Sequence, residues 1–259
     1  MSSRDSTSDL IIARYRRDIG DKSSLGALYT QRSNSQYQNS VLSLDGKAAL
    51  SDSDLLHFQW AHTSSKNPQE IQESYQLAST QKGNALSLNY NRDQYRYALG
   101  AAYQDVAQGF RADLGFVTEA DYIRKQVNGT VKFYGQSGTW FKRGSTNTSY
   151  HHKSDRQGKL LEEKSAVSGN IEGKYHTVAT LTLDKKTRLL NDNYANTQAY
   201  LKLNQLHIDA KVQPIQSVKL SLLGTKGDGI DFQNAQLGEF ERIKATAELF
   251  VGQRLIIKF

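Results

Sequence analysis

Apolar side chains recur at every second position along most of this chain. The clearest run contains Tyr95, Tyr97, Leu99, Ala101 and Tyr103, and the residues between them are polar or small. Successive side chains of a β-strand point to opposite faces, whereas apolar residues on one face of a helix recur with a period near 3.6. The alternation therefore predicts strands that each have one apolar face.

The same alternation returns along the chain to its end, which predicts an all-β, antiparallel fold. The runs cover residues 42–50, 56–60, 86–90, 127–133, 179–183, 206–212, 218–222 and 243–259. A strand with its turn takes about 18 residues, so we expect an up-and-down meander of about 12–14 strands, closed as a transmembrane β-barrel with an even strand number. Because the pattern runs almost from end to end, residues 1–259 are expected to form a single domain.

Some stretches depart from this pattern. Residues 67–83 are expected to form a long loop with a short helix, and residues 150–159 and 188–196 are expected to be loops. Residues 243–259 keep one phase for longer than the ~9–11 residues that cross a membrane. Either one strand projects beyond the bilayer, or an odd-length turn near Gly252 preserves the phase.

Two kinds of protein show this alternation of apolar and polar residues, namely soluble β-sandwiches and membrane β-barrels. A soluble β-sandwich would turn its apolar face inward and would have turns every ~8–12 residues. Here the strands are longer, and the glycine and alanine residues on the apolar face would fill a core poorly. The aromatic residues Tyr95, Tyr97, Tyr103, Trp60 and Phe133 are interpreted as a girdle at the membrane interfaces. The membrane barrel is therefore favoured.

The two ends of the chain bear on the barrel in different ways. Leu255, Ile257 and Phe259 share a phase and are predicted to lie in a barrel-closing C-terminal strand, which the barrel assembly machinery reads. The start, MSSRDSTSDL, lacks the basic, apolar and small-residue order of a secretory signal. An outer-membrane protein needs such a signal, so the chain is expected to be a mature form, a truncated form or the end of a longer precursor, and a C-terminal part of a longer precursor is favoured.

The polar phase carries many basic residues. The chain has 33 Lys and Arg against 26 Asp and Glu, a net charge of +7. If the apolar phase faces lipid, the residues expected to face the lumen include Arg96, Lys132, Lys202, Lys219, Arg242 and Lys244. A basic lumen would favour anions. The basic residues are spread along the chain and the tyrosines share a phase with aliphatic residues, so binding of nucleic acid is not expected.

Three stretches of sequence resemble one family. They read ARYRRDIGDKSSLGALYTQR, VLSLDGKAAL and YQDVAQGFRADLGFVTEADYIRK. They are similar to the C-terminal barrel domain, of unknown function, that follows a family-nine-type carbohydrate-binding module in Gram-negative proteins. The residues that match its central motif are Gly109, Phe110, Leu114, Gly115, Phe116 and Asp121. The resemblance implies a barrel in the cell outer membrane and no reaction, and the missing module means that its glycan binding is not transferred.

Read from its residues alone, the same motif predicts a tight, inward-folded loop or a bulged strand at a rim. Glycines precede both Phe110 and Phe116, and such local geometry is common where a strand bends or ends. The functional alternative is a constriction or a ligand contact inside the barrel.

Few residues offer catalytic chemistry. On a strand, His151 and His152 would point to opposite faces, so they would not easily chelate one metal ion. His62, expected at a strand end near Ser64, is interpreted as interfacial rather than as a general base, and no G-x-S-x-G motif occurs. There is no cysteine and no phosphate-binding loop. We therefore expect no metal, no cofactor and no enzyme activity.

The sequence thus predicts an outer-membrane barrel that anchors an exported carbohydrate-binding protein and serves as a channel or translocation component. Its expected partners are the lipid bilayer, lipopolysaccharide and the barrel assembly machinery, together with a saccharide or another solute. One alternative is a soluble all-β carbohydrate-binding module. The other is an outer-membrane hydrolase, which would lose its activity on changing His62 or His151.

Overall fold

The computed structural model describes residues 7–115, 119–192, 197–231, 236–251 and 255–258. The strands are β1 (Asp9–Ile19), β2 (Ser23–Ser33), β3 (Gln38–Ala49), β4 (Asp54–Lys66), β5 (Thr80–Asp93), β6 (Tyr97–Val106), β7 (Tyr122–Tyr134), β8 (Phe141–Ser154), β9 (Leu160–Gly173), β10 (Val178–Asp192), β11 (Thr197–Ile215), β12 (Val218–Asp231), β13 (Gln236–Val251) and β14 (Leu255–Lys258). A helix, α1 (Gln69–Tyr75), lies between β4 and β5. None of the described residues lies in a helix long and apolar enough to cross a membrane.

The 14 strands form one meander in which each strand is hydrogen-bonded to the next along the chain. The pairings are antiparallel, so adjacent strands need no crossover connection. The predicted all-β, up-and-down fold is confirmed, and the strand number falls within the predicted range. Closure of the sheet into a barrel and its location in a membrane stay predictions.

The chain divides into two compact units. The first contains Met1–Arg92, Gly100–Lys125 and Lys153–Lys159. The second contains Asp93–Leu99, Gln126–His152 and Leu160–Phe259. Strands β1–β4 thus belong wholly to the first unit, and strands β9–β14 belong to the second.

In the first unit, the register of β2–β5 separates an apolar face from a polar face. Directly paired residues of neighbouring strands have their side chains on the same face of a sheet. The apolar face is defined by the row Ala27, Leu44, Trp60 and Leu86. The polar face is defined by the adjacent row Leu28, Ser43, Ala61 and Ala85 and extends to Thr30, Asn39, Thr63 and Ser65.

The second unit has the same division across β10–β13. Its apolar face is defined by the row Leu181, Ile208, Gly224 and Ile243. Its polar face is defined by the row Thr182, His207, Thr225 and Arg242. The period of two in the sequence therefore corresponds to two chemically different faces in each unit.

Burial in the first unit is inverted relative to side-chain polarity. The largest fully buried side chains of the described residues are Asn39, Ser43, Thr63 and Ser65, all on the polar face. On the apolar face, Leu44 keeps 44% of its surface exposed and Trp60 keeps 37%. Soluble domains bury their large apolar side chains and keep most polar ones in water. Here the polar face is the covered side of the sheet.

Several strands extend further than the sequence predicted. β5 begins at Thr80, β8 continues to Ser154 and β10 continues to Asp192, so the loops expected at 67–83, 150–159 and 188–196 are wrong in these parts. Backbone pairing maintains these polar strand ends although no apolar run marks them, as where Thr80 pairs with Lys66. β13 ends at Val251 and β14 begins at Leu255, and Leu249 pairs with Ile257, so this stretch forms two strands that keep one phase rather than one long strand.

Candidate functional site

Segment 107–115, which we call the inward segment, folds over the polar face of the first unit. The Ala107 amide donates a hydrogen bond to the Asn84 carbonyl oxygen at 2.9 Å. Asn39 Nδ2 donates to the Arg111 carbonyl oxygen at 2.9 Å, and the Asp113 amide donates to Asn39 Oδ1 at 3.1 Å. Asn39, which is only 2% exposed, therefore holds the inward segment at two backbone positions.

The inward segment meets β5 at a pair of glycines. A Cβ atom added at Gly83 would lie 2.2 Å from the Phe110 nitrogen, and one added at Gly109 would lie 2.2 Å from the Lys82 carbonyl oxygen. Both separations are far below van der Waals contact, so no side chain fits at either position. Glycine is what allows the two backbones to touch here.

Charged and aromatic side chains also contact Arg111 and Asp113 of the inward segment. Arg111 Nε donates to Asp113 Oδ1 at 2.8 Å, and an Arg32 guanidinium nitrogen lies 3.7 Å from Asp113 Oδ2. The Arg111 guanidinium also lies 5.2 Å from the centre of the Tyr37 ring. The backbone amide of Arg111 donates a hydrogen bond to Thr63 Oγ1 at 3.2 Å. Burial, with a further contribution from the Asp113 carboxylate, raises the pKa of Tyr37 to about 12. The inward segment is thus fixed by backbone, ionic and aromatic contacts together.

A cavity of about 480 Å³ lies between the polar face and the inward segment. The polar face contributes Thr30, Ser43 and Gln59 to its lining, and the inward segment contributes Phe110 and Leu114. Ligand sites often combine an apolar wall with a few polar groups that orient the bound molecule. The cavity can therefore accommodate a small solute that has both polar and apolar surface.

The motif residues predicted from the sequence lie in and beside the inward segment. Gly109, Phe110, Leu114 and Gly115 belong to this segment or form its end. Asp121 comes directly before β7 with a φ of 64°, a left-handed conformation that Asp adopts more readily than most residues. Phe116 lies outside the described residues. Sequence reasoning missed the buried anchors Asn39, Thr63 and Asp113. For Asn39 and Thr63, the available signal was a run of small polar residues on one strand face.

Most of the predicted aromatic girdle lies near strand ends in the second unit. Tyr95 stacks on Tyr134 with their ring centroids 4.5 Å apart, and the Tyr134 hydroxyl donates to the Tyr95 carbonyl oxygen at 2.9 Å. Phe133 packs edge-on against Phe141 at 6.2 Å, and Tyr97 is the first residue of β6. The prediction omitted Tyr134 and Phe141, although both adjoin a turn and could have been found by that position.

Trp60 does not fit the predicted girdle. It lies in the middle of β4, where its ring stacks on His62 with the centroids 6.3 Å apart. The predicted position of His62 at a strand end is also wrong, because β4 continues to Lys66 as a polar, paired strand. Tyr103 lies inside β6, in the same phase as Tyr97.

Three of the predicted basic residues lie on the polar face of the second unit. Arg242 and Lys244 line a cavity of about 320 Å³ on this face. Lys219 pairs in register with Glu248, and its Nζ lies 3.5 Å from Glu248 Oε2. Lys219 is therefore largely neutralised, whereas Arg242 and Lys244 contribute charge to a cavity.

The other predicted basic residues have different surroundings. Lys132 forms an ion pair with Asp93 and also donates to the Gln94 carbonyl oxygen at 3.2 Å. Arg96 is exposed just before β6, and its carbonyl oxygen accepts a hydrogen bond from the Lys132 amide at 2.8 Å.

The prediction for Lys202 is wrong. Lys202 shares the phase of Leu206 and therefore lies on the apolar face of β11. The polar-face positions beside it are occupied by Leu201 and Leu203, which are both buried. The polarity of β11 thus reverses near its start.

The predicted C-terminal strand is β14. Leu255 pairs with Val251 and Ile257 pairs with Leu249, both in β13. Phe259 lies outside the described residues. A pairing of β14 that closes a barrel stays a prediction.

The histidines that were considered as catalytic candidates contact an amide and a carboxylate. His62 Nδ1 lies 2.8 Å from Asn84 Oδ1, and His151 Nε2 lies 3.9 Å from Glu162 Oε1. Within the described ranges, no group of three or more His, Cys, Asp and Glu residues is placed to hold a metal ion. His207, which sequence reasoning did not single out, lies on the polar face of β11.

The comparisons with known proteins add no relative. No protein-family model matches the chain. A search of curated proteins found no significant match. The resemblance to the carbohydrate-binding-associated barrel domain therefore stays a prediction from the residues.

Proposed function

We propose that the chain is a β-barrel of the cell outer membrane that anchors an exported carbohydrate-binding protein, and that its polar face lines a passage for a solute or a polypeptide. The observation that carries this proposal is the inverted burial of the first unit, where Asn39 and Thr63 are buried while Leu44 and Trp60 are exposed. A large exposed apolar surface is unfavourable in water but is favourable against lipid hydrocarbon.

The second unit supports the same proposal independently. Leu181, Leu183, Leu222 and Ile243 are all exposed on its apolar face, across three strands. A closed antiparallel barrel is the form in which strands can span a bilayer, because it leaves no backbone hydrogen-bonding group unpaired. The strands of the chain, most with 11–16 residues, are long enough for such a crossing.

The connections between strands also support the proposal. Those after odd-numbered strands are short and include residues 20–22, 50–53, 94–96, 135–140, 174–177 and 216–217, and those at 34–37 and 155–159, which follow even-numbered strands, are equally short. The two longest, 67–79 and 107–121, both follow even-numbered strands and contain α1 and the inward segment. Bacterial barrels combine short periplasmic turns with longer extracellular loops. Two long connections among short turns are therefore typical of such a barrel.

Membrane fractionation combined with gel mobility tests the proposal. The chain would be expressed with a secretion signal, and the outer membrane would be separated and analysed by electrophoresis with and without heating. We expect the protein in the outer-membrane fraction, with a mobility that changes on heating because a folded barrel resists the detergent of the gel. A soluble periplasmic product without a shift would contradict the proposal.

A soluble outcome would favour the carbohydrate-binding alternative. Trp140 is exposed and lies 5.9 Å from Phe141, so an aromatic surface for stacking on sugar rings is available in the second unit. Glycan-binding screens would then be the next measurement, with Trp140→Ala as the variant expected to lose binding.

A further inference from the structure

We propose that a groove on the polar face of the second unit binds a small dianionic oxyanion, such as phosphate or a phosphate monoester. The groove, which we call the basic groove, has a volume of about 320 Å³, and its lining includes Thr180, His207, Thr225, Arg242 and Lys244. The inference deepens the proposed function by naming a solute class, and it rests on that function for the route by which the anion arrives.

The register of three strands brings the main donors of the basic groove together. His207 of β11 pairs with Thr225 of β12, and Thr225 pairs with Arg242 of β13. Directly paired residues share a face, so these three side chains form one row. Lys244 lies two residues beyond Arg242 on the same face, with a Cα separation of roughly 7 Å. One anion can therefore lie between the guanidinium and ammonium groups.

His207 is fixed at both ring nitrogens. Its Nε2 lies 2.8 Å from Asp184 Oδ1, and its Nδ1 lies 3.0 Å from Thr225 Oγ1. The Asp184 side chain is only 5% exposed, so the imidazole is held from the buried side. The row therefore holds an imidazole and a hydroxyl in fixed positions beside the cationic groups.

A second hydroxyl is oriented in the same way. Asn170 Nδ2 donates to Thr180 Oγ1 at 2.8 Å. Because this bond occupies a lone pair of the Thr180 oxygen, the Thr180 proton remains available to another acceptor. Hydroxyl donors beside cationic groups are suited to the several oxygens of a phosphate.

The basic groove carries an excess of two positive charges, those of Arg242 and Lys244. Its carboxylates already have cationic partners, since Asp184 lies 3.6 Å from Lys164 Nζ and Asp209 lies 3.4 Å from Lys211 Nζ. Within the part of the chain that the structure describes, Arg242 and Lys244 have no ion pair. A dianion would neutralise both cations, which is why phosphate is favoured over a monovalent carboxylate.

The opposite face of the same strands provides the matched control. Lys226 of β12 pairs in register with Glu241 of β13, and their charged atoms lie 3.7 Å apart. Lys226 has the same charge as Lys244 and lies on the neighbouring strand β12, but its side chain belongs to the apolar face. Removing its charge changes the net charge of the protein without changing the basic groove.

Calorimetric titration of the folded protein tests the inference. Protein that shows the heat-dependent mobility shift would be titrated with inorganic phosphate, sulfate, acetate and glycerol 3-phosphate. We expect saturable binding of phosphate and sulfate. Acetate should bind at least roughly tenfold more weakly than phosphate. Arg242→Gln and Lys244→Gln should each weaken phosphate binding by roughly tenfold or more, because a charge-assisted hydrogen bond is lost. Glycerol 3-phosphate binding tighter than phosphate would identify an ester as the ligand.

The control variant decides between a site and a general charge effect. Lys226→Gln should leave phosphate binding unchanged, and an equal loss in this variant would overturn the inference. Absence of saturable binding in protein that retains the mobility shift would also overturn it, while leaving the membrane proposal intact. If the protein is instead soluble, the same titration in detergent-free buffer tests the basic groove by itself.

Discussion

Asn39 is the residue on which the position of the inward segment most depends. Its carboxamide donates a hydrogen bond to the Arg111 carbonyl oxygen and accepts one from the Asp113 amide, as a paired backbone would. It also donates to Ser65 Oγ at 2.8 Å. Asn39→Ala would leave these buried groups without partners, which costs about 1–3 kcal/mol. We expect the inward segment to open more often, so that a thiol introduced as Ala112→Cys is labelled one to two orders of magnitude faster.

The natural chain contains no cysteine, so this thiol is a unique reporter. Asn91→Ala provides the control, because Asn91 is an exposed amide at the end of β5. Labelling that is equally slow with Asn39→Ala and Asn91→Ala would contradict the role of Asn39.

The phenol of Tyr37 gives the inward segment a dependence on high pH. The pKa of Tyr37 is raised to about 12 from its ordinary value of 10.0, first by burial and then by Asp113. Since the folded state favours the neutral phenol, this contribution to stability is present below pH 10 and is lost as the pH rises toward 12. We expect labelling of Ala112→Cys to accelerate between these values, where the thiol is already ionised and only access changes. With Tyr37→Phe, the acceleration should disappear.

At the scale of elements, the contact between the inward segment and β5 depends on Gly83. The methyl group of Gly83→Ala would meet the backbone of Phe110, so either β5 or the inward segment must move. We expect a lower free energy of unfolding in urea, followed by tryptophan fluorescence, together with faster labelling of Ala112→Cys. Gly169→Ala, on β9, meets no atom within 4 Å and should instead stabilise the protein by about 0.5–1 kcal/mol. Equal effects of the two substitutions would exclude this close contact.

The apolar face makes a second prediction at this scale. Leu44 lies near the middle of β3, and its partner in register is Trp60. In a bilayer, Leu44→Arg should destabilise the folded protein by about 2–4 kcal/mol, because arginine enters the hydrocarbon. Leu50→Arg, in the following turn, is the control and should change the free energy of unfolding by less than about 0.5 kcal/mol. Urea unfolding in lipid vesicles measures both, and similar values would contradict a lipid-facing position for Leu44.

The sequence predicts the apolar face of these strands better than it predicts their polar ends and their polar face. Alternation of Leu42, Leu44 and Trp60 with polar residues was sufficient to predict the strands and their apolar face. It could not predict that β5 begins at Thr80 or that β8 reaches Ser154, because backbone pairing holds these ends and side chains do not mark them. Asn39 was equally hidden, since its role depends on a segment about 70 residues away in sequence.

At the scale of the whole molecule, the proposal requires that one face of every strand meets lipid and the other meets water. Adjacent residues of β10 test this directly, because Leu183 is 57% exposed on the apolar face while Thr182 lies on the polar face. In vesicles, a spin label attached at Leu183→Cys should be relaxed by oxygen, which concentrates in lipid. A label at Thr182→Cys should respond to a water-soluble nickel complex instead. A soluble sheet would give the aqueous response at the exposed Leu183 position, so the order of the two responses distinguishes a membrane barrel from a soluble sheet.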